Sequence, residues 1–395
     1  MIIAQWGMDL ERPMALLGGL SASDFMRRHW QKSPRLIRAA VPGAIAGFDR
    51  RRLFALAGRS DVESRLIVRS GRHWSVRAGP VSRRSLPSLA TPSWTLLVQG
   101  VDLHDAGVHH LRERFRFVAA ARLDDVMISF ATDGGGVGPH LDSYDVFLLQ
   151  LAGRRRWRVG RTARPVWRDD VPLKMLRGFV PRHSFLLEPG DMLYLPPGWG
   201  HDGVAVGECI TASVGFRAPM ADGLAAEVVQ RLAEAAVADD ASSSARDTRR
   251  YADAGEPATD RPARIPLRLR GFAEAAIDRL LADRRAREQA LGEVLSEPKP
   301  GTWFERRSQQ PAATTSVALD PRTRMLYDDR HVFINGESYR ATGRDATLMR
   351  RLADQRHLDA SRVARASDGA CELLAEWVQA GWCIPAHDIF EEDPT

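Results

Sequence analysis

Two histidines and one aspartate stand at a spacing that could bind a metal ion. His140 and Asp142 close the stretch GGGVGPHLD, and side chains two positions apart on an extended strand point to the same side. His201 follows about sixty residues later at the end of EPGDMLYLPPGWGH, a turn, a short strand and a proline-stiffened bend before the next expected strand. In a barrel this path would return His201 to the first pair.

The ligand types indicate which metal and which chemistry this site would support. Two histidines and one carboxylate on one face of an octahedron leave three positions open, which suits non-haem iron(II) oxygen chemistry. Zinc would normally take tetrahedral ligands with one open position. We therefore predict an iron(II) site at His140, Asp142 and His201, with no catalytic side chain beyond the metal centre. Affinity order alone would favour other ions over iron.

An iron oxygenase of this type needs two further electrons, which 2-oxoglutarate supplies by oxidative decarboxylation. The far carboxylate of 2-oxoglutarate then requires a cation, and the planar fork of arginine binds a carboxylate through two hydrogen bonds. Arginines cluster in GRRRWR after the histidine and aspartate pair. Strand alternation sends Arg154, Arg156 and Arg158 to one side and Arg155 to the other. The residues alone do not say which side is interior.

Short β-runs broken by glycine and proline must position these residues. They lie at 126–132, 145–151, 156–159, 192–195 and 210–216, a texture typical of a barrel or a double-sheet jelly roll. An α+β lead-in precedes them, with a predicted helix at 22–30 capped by Ser23 and a strand at 94–99. The glycines at 134–136 precede no Gly-Lys-Ser/Thr, so we expect close backbone approach at the barrel mouth rather than a phosphate site.

Helical patterns follow the barrel. Leu224, Val228, Leu232 and Ala235 share one apolar face, and a second stripe, which begins at Phe272 and includes Leu291, ends near residue 298. Residues 238–266 between them are polar and aperiodic, so we predict an exposed linker. The tail combines a strand at 331–334, a turn at 335–336 and helices at 347–352 and 370–380, which is compatible with a winged-helix-like module.

Composition narrows the class of protein. The chain has 395 residues, 44% of them hydrophobic, and no apolar run long enough to span a bilayer. Its start, with early Asp9 and Glu11, is unlike a secretion signal, so we expect a cytoplasmic protein. Three scattered cysteines argue against a disulfide framework or a cysteine zinc site. The net charge of +6 comes almost entirely from arginine, which resembles a codon habit more than a nucleic-acid surface.

The motifs resemble those of a known family. PHLDSYDVFLLQLAGRRRWRVG, LEPGDMLYLPPGWGHDG and TASVGFRAP are similar to segments of the JmjC-type ribosomal oxygenases, specifically the bacterial arginine hydroxylases. The resemblance is dense over residues 120–220 and extends more loosely to DFMRRHWQKSPRLIR and to the tail.

The resemblance implies a complete set of expectations. The fold would be α+β, with a double-stranded β-helix (jelly-roll) catalytic domain at 1–222 (core about 90–217), a helical dimerisation region at 223–305 and a winged-helix-like domain at 306–395. Iron(II) would be bound by His140, Asp142 and His201, and 2-oxoglutarate by Arg155 with Ser129. With O2, the enzyme would hydroxylate an arginine β-carbon of a large-subunit ribosomal protein, the sixteenth. We expect a homodimer, no membrane contact and no direct nucleic-acid binding.

Several alternatives stay open at this stage. The same chemistry could act on a histidine, on a methylated lysine or on a small molecule. A degenerate barrel could also belong to a non-catalytic module that binds nucleic acid through its tail. Tyr144 and Asp145 could contact a substrate or pack within a strand, and we expect His109 and His110 on the surface of a helix.

Overall fold

A rolled antiparallel sheet forms the centre of the N-terminal half. The computed structural model describes residues 9–43, 45, 47–237, 249–307, 316–340 and 342–385. The sheet has the order β1-β8-β6-β9-β5-β4-β2-β3, with β7 also paired to β6. Its strands are β1 Arg35–Ile37, β2 Ser64–Ser70, β3 His73–Ala78, β4 Trp94–Val98, β5 Leu123–Ala131, β6 Val146–Arg161, β7 His183–Leu187, β8 Met192–Leu195 and β9 Trp199–Phe216. This architecture is the predicted jelly roll.

Two long strands replace what the sequence divides into short ones. The runs predicted at 145–151 and 156–159 are one strand, β6, and β9 begins eleven residues before the predicted 210. Pairing of β6 with β9 shifts register on both sides of Ala152, next to Gly153 at φ 61°. A β-bulge of this kind adds a residue to one strand and changes which side chains face inward.

The N-terminal helices cover the outer face of the sheet. They are α1 Ala22–Arg28, α2 Arg50–Ala57 and α3 Ala106–Glu113. Ser21, not the predicted Ser23, caps α1, because the Ser21 hydroxyl accepts the N–H of Asp24. Phe25 is fully buried, with its ring 5.5 Å from that of Phe147 on β6, so hydrophobic burial holds α1 on the sheet.

The surface position expected for His109 is wrong. His110 is exposed, but the side chain of His109 is only 13% exposed and lies beside Glu113 and Arg112. Burial and the charge of Arg112 hold the pKa of His109 well below its ordinary value. His109 is therefore a neutral packing residue of α3.

Three helices connect the barrel to the tail: α4 Ala221–Val237, α5 Leu267–Ala282 and α6 Arg284–Ser296. The second predicted amphipathic helix is thus two helices, because Asp283 leaves the helical conformation and caps α6 through the N–H groups of Arg285 and Ala286. Residues 249–266 are almost entirely exposed and contain neither helix nor strand, as expected for that part of the linker. Residues 238–248 of the predicted linker lie outside the described part.

A winged-helix domain completes the described chain. Its strands are β10 Val317–Leu319, β11 Met325–Tyr327, β12 His331–Ile334, β13 Glu337–Arg340, β14 His357–Leu358 and β15 Cys383–Pro385, and its helices are α7 Gly343–Gln355, α8 Ala360–Val363 and α9 Asp368–Gln379. The hairpin predicted at Asn335-Gly336 is confirmed, with Asn335 at φ 50° and Gly336 at φ 89°.

Arginine side chains bind the winged-helix domain to the N-terminal half. Arg324 donates from Nη2 to the carbonyl of Leu123 at the start of β5 (3.0 Å). Arg116 donates in the opposite direction, to the carbonyls of Ala353 (2.8 Å) and Asp354 (2.7 Å) at the end of α7. These bonds fix the tail against the elements that carry the candidate site.

The helices and the cysteines of the described residues agree with the composition of the chain. No helix among them is long and apolar enough to cross a bilayer. Cys209, Cys371 and Cys383 are all free thiols, as the scattered cysteines predict.

Candidate metal centre and active site

A glycine loop brings the two ligand segments together at the mouth of the barrel. A Cβ on Gly136 would lie 2.4 Å from the carbonyl oxygen of Gly203 on β9, so only glycine permits this approach. His140 and His201 then form a two-way backbone bridge, each N–H donating to the carbonyl of the other at 2.9 Å. The predicted close approach is confirmed, although His140 lies in this isolated bridge rather than in a strand of several residues.

The three candidate ligands converge. One ligand atom from each of His140, Asp142 and His201 lies within 4.8 Å of the others. Nε2 of His201 is 3.4 Å from Oδ2 of Asp142, and Nε2 of His140 is 3.9 Å from Oδ1 of the same carboxylate. The two imidazole rings are 4.2 Å apart between centroids. Two imidazole nitrogens and a carboxylate thus face one small volume.

The backbone orients both rings so that Nε2 faces this volume. Nδ1 of His140 lies 3.0 Å from the carbonyl of Gly138, and Nδ1 of His201 lies 3.2 Å from the carbonyl of Trp199. A carbonyl can only accept, so each Nδ1 carries the proton and each Nε2 lone pair is free. Burial, with the neighbouring His140, lowers the pKa of His201 to about 4. His201 is therefore neutral at ordinary pH, which is the state that ligates metals.

Arg155 is a buried cation without a carboxylate partner. Its side chain points into the barrel, whereas Arg154, Arg156 and Arg158 are exposed, which answers the question that alternation left open. Nη1 donates to Ser129 Oγ (3.0 Å) and Nη2 to the carbonyl of Gly203 (3.3 Å), while the buried Nε has no acceptor. Burial lowers the pKa of Arg155. Within the described residues no acidic side chain forms an ion pair with it, so the guanidinium has only neutral hydrogen-bond acceptors.

One cavity of about 310 Å³ joins Arg155 to the three candidate ligands. Ser129 and Thr211, which are cross-strand neighbours on β5 and β9, both line it. Acidic and aromatic groups line it as well, together with one lysine from the segment after α6: Asp124, Asp125, Tyr144 and Lys299. The cavity therefore combines a buried cation, a potential metal site and an acidic pair.

Several of these residues were not singled out from the sequence. Asp125 shares the inward face of β5 with Ser129, so strand alternation from the predicted Ser129 could have found it. Thr211 required the register of β5 against β9. Of the two open candidates, Tyr144 lines the cavity, but Asp145 is fully buried and accepts a hydrogen bond from Tyr194 Oη (2.6 Å), so Asp145 is a packing residue.

Two family descriptions match successive parts of the chain. The JmjC domain matches residues 110–224, and the ROXA-like winged helix matches residues 279–384. The ribosomal protein uL16 3-hydroxylase of Escherichia coli is 41% identical over 219 residues, which are 54% of this chain and 58% of that protein. The probable ribosomal oxygenase of Haemophilus influenzae is 36% identical over 204 residues, 49% of each chain. The chain thus spans about half the length of these curated relatives.

Solved structures match over a longer stretch. The X-ray structure of Escherichia coli YcfD has a TM-score of 0.78 at 29% identity and covers 92% of this chain and 98% of that one. YcfD in complex with cobalt and succinic acid has a TM-score of 0.74 at 30% identity and again covers 92% and 98% of the two chains. The agreement in fold extends through the winged-helix domain. The chain belongs to the JmjC-type ribosomal oxygenase family.

Proposed function

We propose that this protein is an iron(II)- and 2-oxoglutarate-dependent dioxygenase that hydroxylates the β-carbon of an arginine side chain in the ribosomal protein uL16. The observation that carries the proposal is the single cavity in which a two-histidine, one-carboxylate cluster faces an unpaired buried arginine. The names of the relatives, a uL16 3-hydroxylase and a ribosomal oxygenase, support the choice of substrate.

The residues present fit iron and its co-substrate. His140, Asp142 and His201 would hold the metal, and their donor set leaves positions open for a keto acid and O2. Bound iron(II) would supply oxygen activation coupled to the oxidative decarboxylation of 2-oxoglutarate. Arg155 would bind the far carboxylate, with Ser129 beside it, because a buried guanidinium without an anion is costly and a carboxylate would satisfy it. Cobalt and 2-oxoglutarate are the ligands named for one YcfD complex.

The acidic lining supports a cationic target. Asp125 is 7% exposed, and its Oδ2 accepts the N–H of Gly100 at 2.9 Å, which fixes the carboxylate. Asp124 adjoins it, and Tyr144 offers a ring on which a guanidinium could stack. A neutral histidine ring carries no positive charge for these carboxylates, whereas a guanidinium does, so the cavity favours arginine over histidine as the target.

The decisive experiment measures two products of one reaction. The full-length protein, loaded anaerobically with iron(II), is given 2-oxoglutarate, O2 and either uL16 or a uL16 peptide. We expect succinate and, on one arginine, a mass gain of one oxygen atom. His140→Ala/Asp142→Ala should produce neither, because it removes two of the three proposed ligands.

The pattern of failure identifies the alternative. Succinate coupled to another target, whether histidine, methylated lysine or a small molecule, would keep the chemistry and exclude the substrate. Absence of turnover with any basic ribosomal protein, together with salt-dependent binding to generic DNA, would instead support a non-catalytic nucleic-acid module.

We also propose that the chain forms a homodimer through its helical region. Helices α4 and α5 expose apolar side chains, with Val229 44% and Ile277 56% exposed, and no residue of α5 is buried. Such a face is typical of a subunit interface. Light scattering should give twice the chain mass of 43.8 kDa, and Ile277→Glu should give a monomer. A natural chain that is monomeric at all concentrations would exclude the dimer.

The proposed division is catalytic at 1–222, helical at 223–305 and winged-helix at 306–395. Helix α6 links the last two, because Gln289 Nε2 donates to Ser338 Oγ on β13 at 2.8 Å. A ribosomal substrate places the activity in the cytoplasm, and we assign the protein no membrane contact and no direct nucleic-acid binding.

A further inference from the structure

A cation from outside the barrel already contacts the acidic pair in the cavity. Lys299 follows α6, and its Nζ lies 2.8 Å from Oδ2 of Asp125 and 3.5 Å from Oδ1 of Asp124. The contact is largely shielded from water, since the two side chains of the closer pair are 26% and 9% exposed. The segment between the helical region and the winged-helix domain therefore supplies part of the active-site wall.

The backbone holds Lys299 in this place. It stands between Pro298 and Pro300, so the ring before it fixes one φ and the ring after it restricts Lys299 to extended conformations. A turn follows, in which the N–H of Thr302 donates to the carbonyl of Lys299 (3.0 Å). The lysine is thus presented to the acidic pair by a stiff segment rather than by a loose loop.

Asp125 and Lys299 change each other's charge state because both are shielded from water. Burial alone would lower the pKa of Lys299, but the charges of Asp125 and Asp124 outweigh it and raise that pKa. Burial also raises the pKa of Asp125, with Asp102 and Asp124 adding to the effect even though Lys299 is in contact. Asp124 also pairs with Arg217, whose Nε lies 3.3 Å from its Oδ1, so Lys299 matters chiefly as the cation that offsets the buried charge of Asp125.

We propose that Lys299 is a placeholder cation, displaced from Asp125 and Asp124 when the substrate's arginine binds, and that this competition makes the cavity selective for arginine over lysine. The inference rests on the proposed function, since it assigns a role within the same cavity. Only three of the 56 lysine and arginine residues of the chain are lysines, and Lys299 is one of them. A lysine is easier to displace from a carboxylate than an arginine, because it lacks the arginine's pair of parallel N–H groups.

The selectivity follows from the shapes of the two cations. A guanidinium offers two parallel N–H groups to a carboxylate, whereas an ammonium acts as a point charge. A lysine of a peptide would replace one ammonium by another and would compete with Lys299, which is tethered at a high effective concentration. An arginine gains a second hydrogen bond on displacement, so only arginine binds with net benefit.

The kinetic test compares Lys299→Met with the natural chain on two peptides. One is the uL16 peptide, and the other has lysine in place of the target arginine. We expect the KM for the arginine peptide to fall about tenfold in the variant, with kcat within about twofold, because the competitor is gone while the chemistry is unchanged. The lysine peptide, which should bind negligibly to the natural chain, should become a measurable competitive inhibitor or substrate.

Lys174→Met is the matched control. Lys174 lines the same cavity, but its Nζ lies 4.7 Å from the centre of the Trp167 ring and not on a carboxylate. Its loss removes one positive charge from the cavity without freeing Asp125, so the preference for arginine over lysine should persist. An unchanged or raised KM for the arginine peptide in Lys299→Met, or equal loss of selectivity in Lys174→Met, would overturn the inference and leave the proposed function intact.

A second readout does not depend on turnover. In protein labelled with [15N]lysine, the three ammonium groups can be assigned by single substitutions. We expect slow proton exchange at Lys299 in the natural chain, fast exchange in Asp125→Asn, and fast exchange when the arginine peptide saturates the natural chain. A peptide that binds without changing the Lys299 signal contradicts displacement. Displacement without hydroxylation would contradict the proposed function and leave the cation exchange standing.

Discussion

Arg155→Met should leave the free energy of unfolding unchanged or slightly higher, and should greatly weaken the binding of 2-oxoglutarate. Methionine fills a similar volume and removes the charge. In the metal-free protein Arg155 has three acceptors in reach, none of them a carboxylate, and a buried Nε without a partner. Removing such a cation relieves a desolvation cost and loses only neutral acceptors. We expect the free energy of unfolding to stay within about 1 kcal/mol of the natural value or to rise.

The effect on 2-oxoglutarate should be large. Truncating one partner of a buried, hydrogen-bonded charge pair costs about 2–5 kcal/mol, which corresponds to a rise in Kd of roughly 30-fold to several thousandfold. Ligand at a hundred times its Kd stabilises the folded state by about 2.7 kcal/mol. A concentration of 2-oxoglutarate that stabilises the natural chain to this extent should stabilise Arg155→Met by at most about 0.9 kcal/mol.

Thermal unfolding with and without 2-oxoglutarate, in the presence of redox-inert cobalt(II), measures both effects at once. Arg156→Met is the control, because Arg156 is exposed on the opposite face of the same strand and should keep the full response. A 2-oxoglutarate response retained in Arg155→Met would refute the assignment of this arginine. A loss of more than about 2 kcal/mol of stability without ligand would show that Arg155 is a structural residue.

Three further predictions concern the candidate ligand His201, the glycine loop at Gly136 and the hydroxyl of Thr211. Between pH 6.5 and about 4, His201 is protonated in the unfolded chain but not in the folded chain. The free energy of unfolding of the metal-free protein should therefore fall by about 3 kcal/mol as the pH is lowered through this window. Urea titrations should show this fall in the natural chain and not in His201→Gln. Gly136→Ala places a Cβ against the carbonyl of Gly203, so it should lower the free energy of unfolding by about 1–3 kcal/mol. Calorimetry should also show weaker cobalt(II) binding. Gly223→Ala is the control and should have neither effect, because the space around Gly223 is open. Thr211→Val removes a weak acceptor of the buried arginine (3.4 Å) and should raise the KM for 2-oxoglutarate about fivefold in succinate release.

Local signals in the sequence predicted the jelly roll and the convergence of its candidate ligands. The spacing of His140 and Asp142 and the proline-stiffened bend before His201 were correct signals, although His140 reaches the site through an isolated bridge to His201 and not through the predicted strand. The Asn335-Gly336 hairpin was also predicted from a local signal, since its turn type is decided by two residues. Local patterns thus predicted a barrel or jelly roll followed by a winged-helix-like module, and the resemblance to a family specified the JmjC type.

The inward direction of Arg155 needed information that alternation cannot supply. Val146 and Leu148 line the cavity from even positions of β6, and Arg155 and Trp157 line it from odd ones. The bulge beside Gly153 accounts for this change of parity. A glycine within a strand is a hint of a bulge, but where the extra residue falls depends on pairing with β9.

Contacts between segments distant in the chain were beyond prediction. Lys299 reaches the cavity because α6 and the winged-helix domain pack on the barrel. Its sequence neighbours, Glu297, Pro298 and Pro300, give no indication of a contact with Asp125. The start of α1 and the break between α5 and α6 were also missed. Each depends on which polar side chain accepts backbone N–H groups: Ser21 for α1 and Asp283 for α6.

The seating of the winged-helix domain has a consequence for how the chain can be divided experimentally. Glu113 in the catalytic half is buried, and the charges of Arg356 from the tail, then Arg112, overcome that burial and lower its pKa to about 2. Removal of the tail would take Arg356 away from Glu113. It would also remove Arg324 from the carbonyl of Leu123, and the carbonyls of Ala353 and Asp354 from Arg116. We therefore expect the tail and the barrel to unfold together, and residues 1–222 expressed alone to be less stable than the same residues within the natural chain.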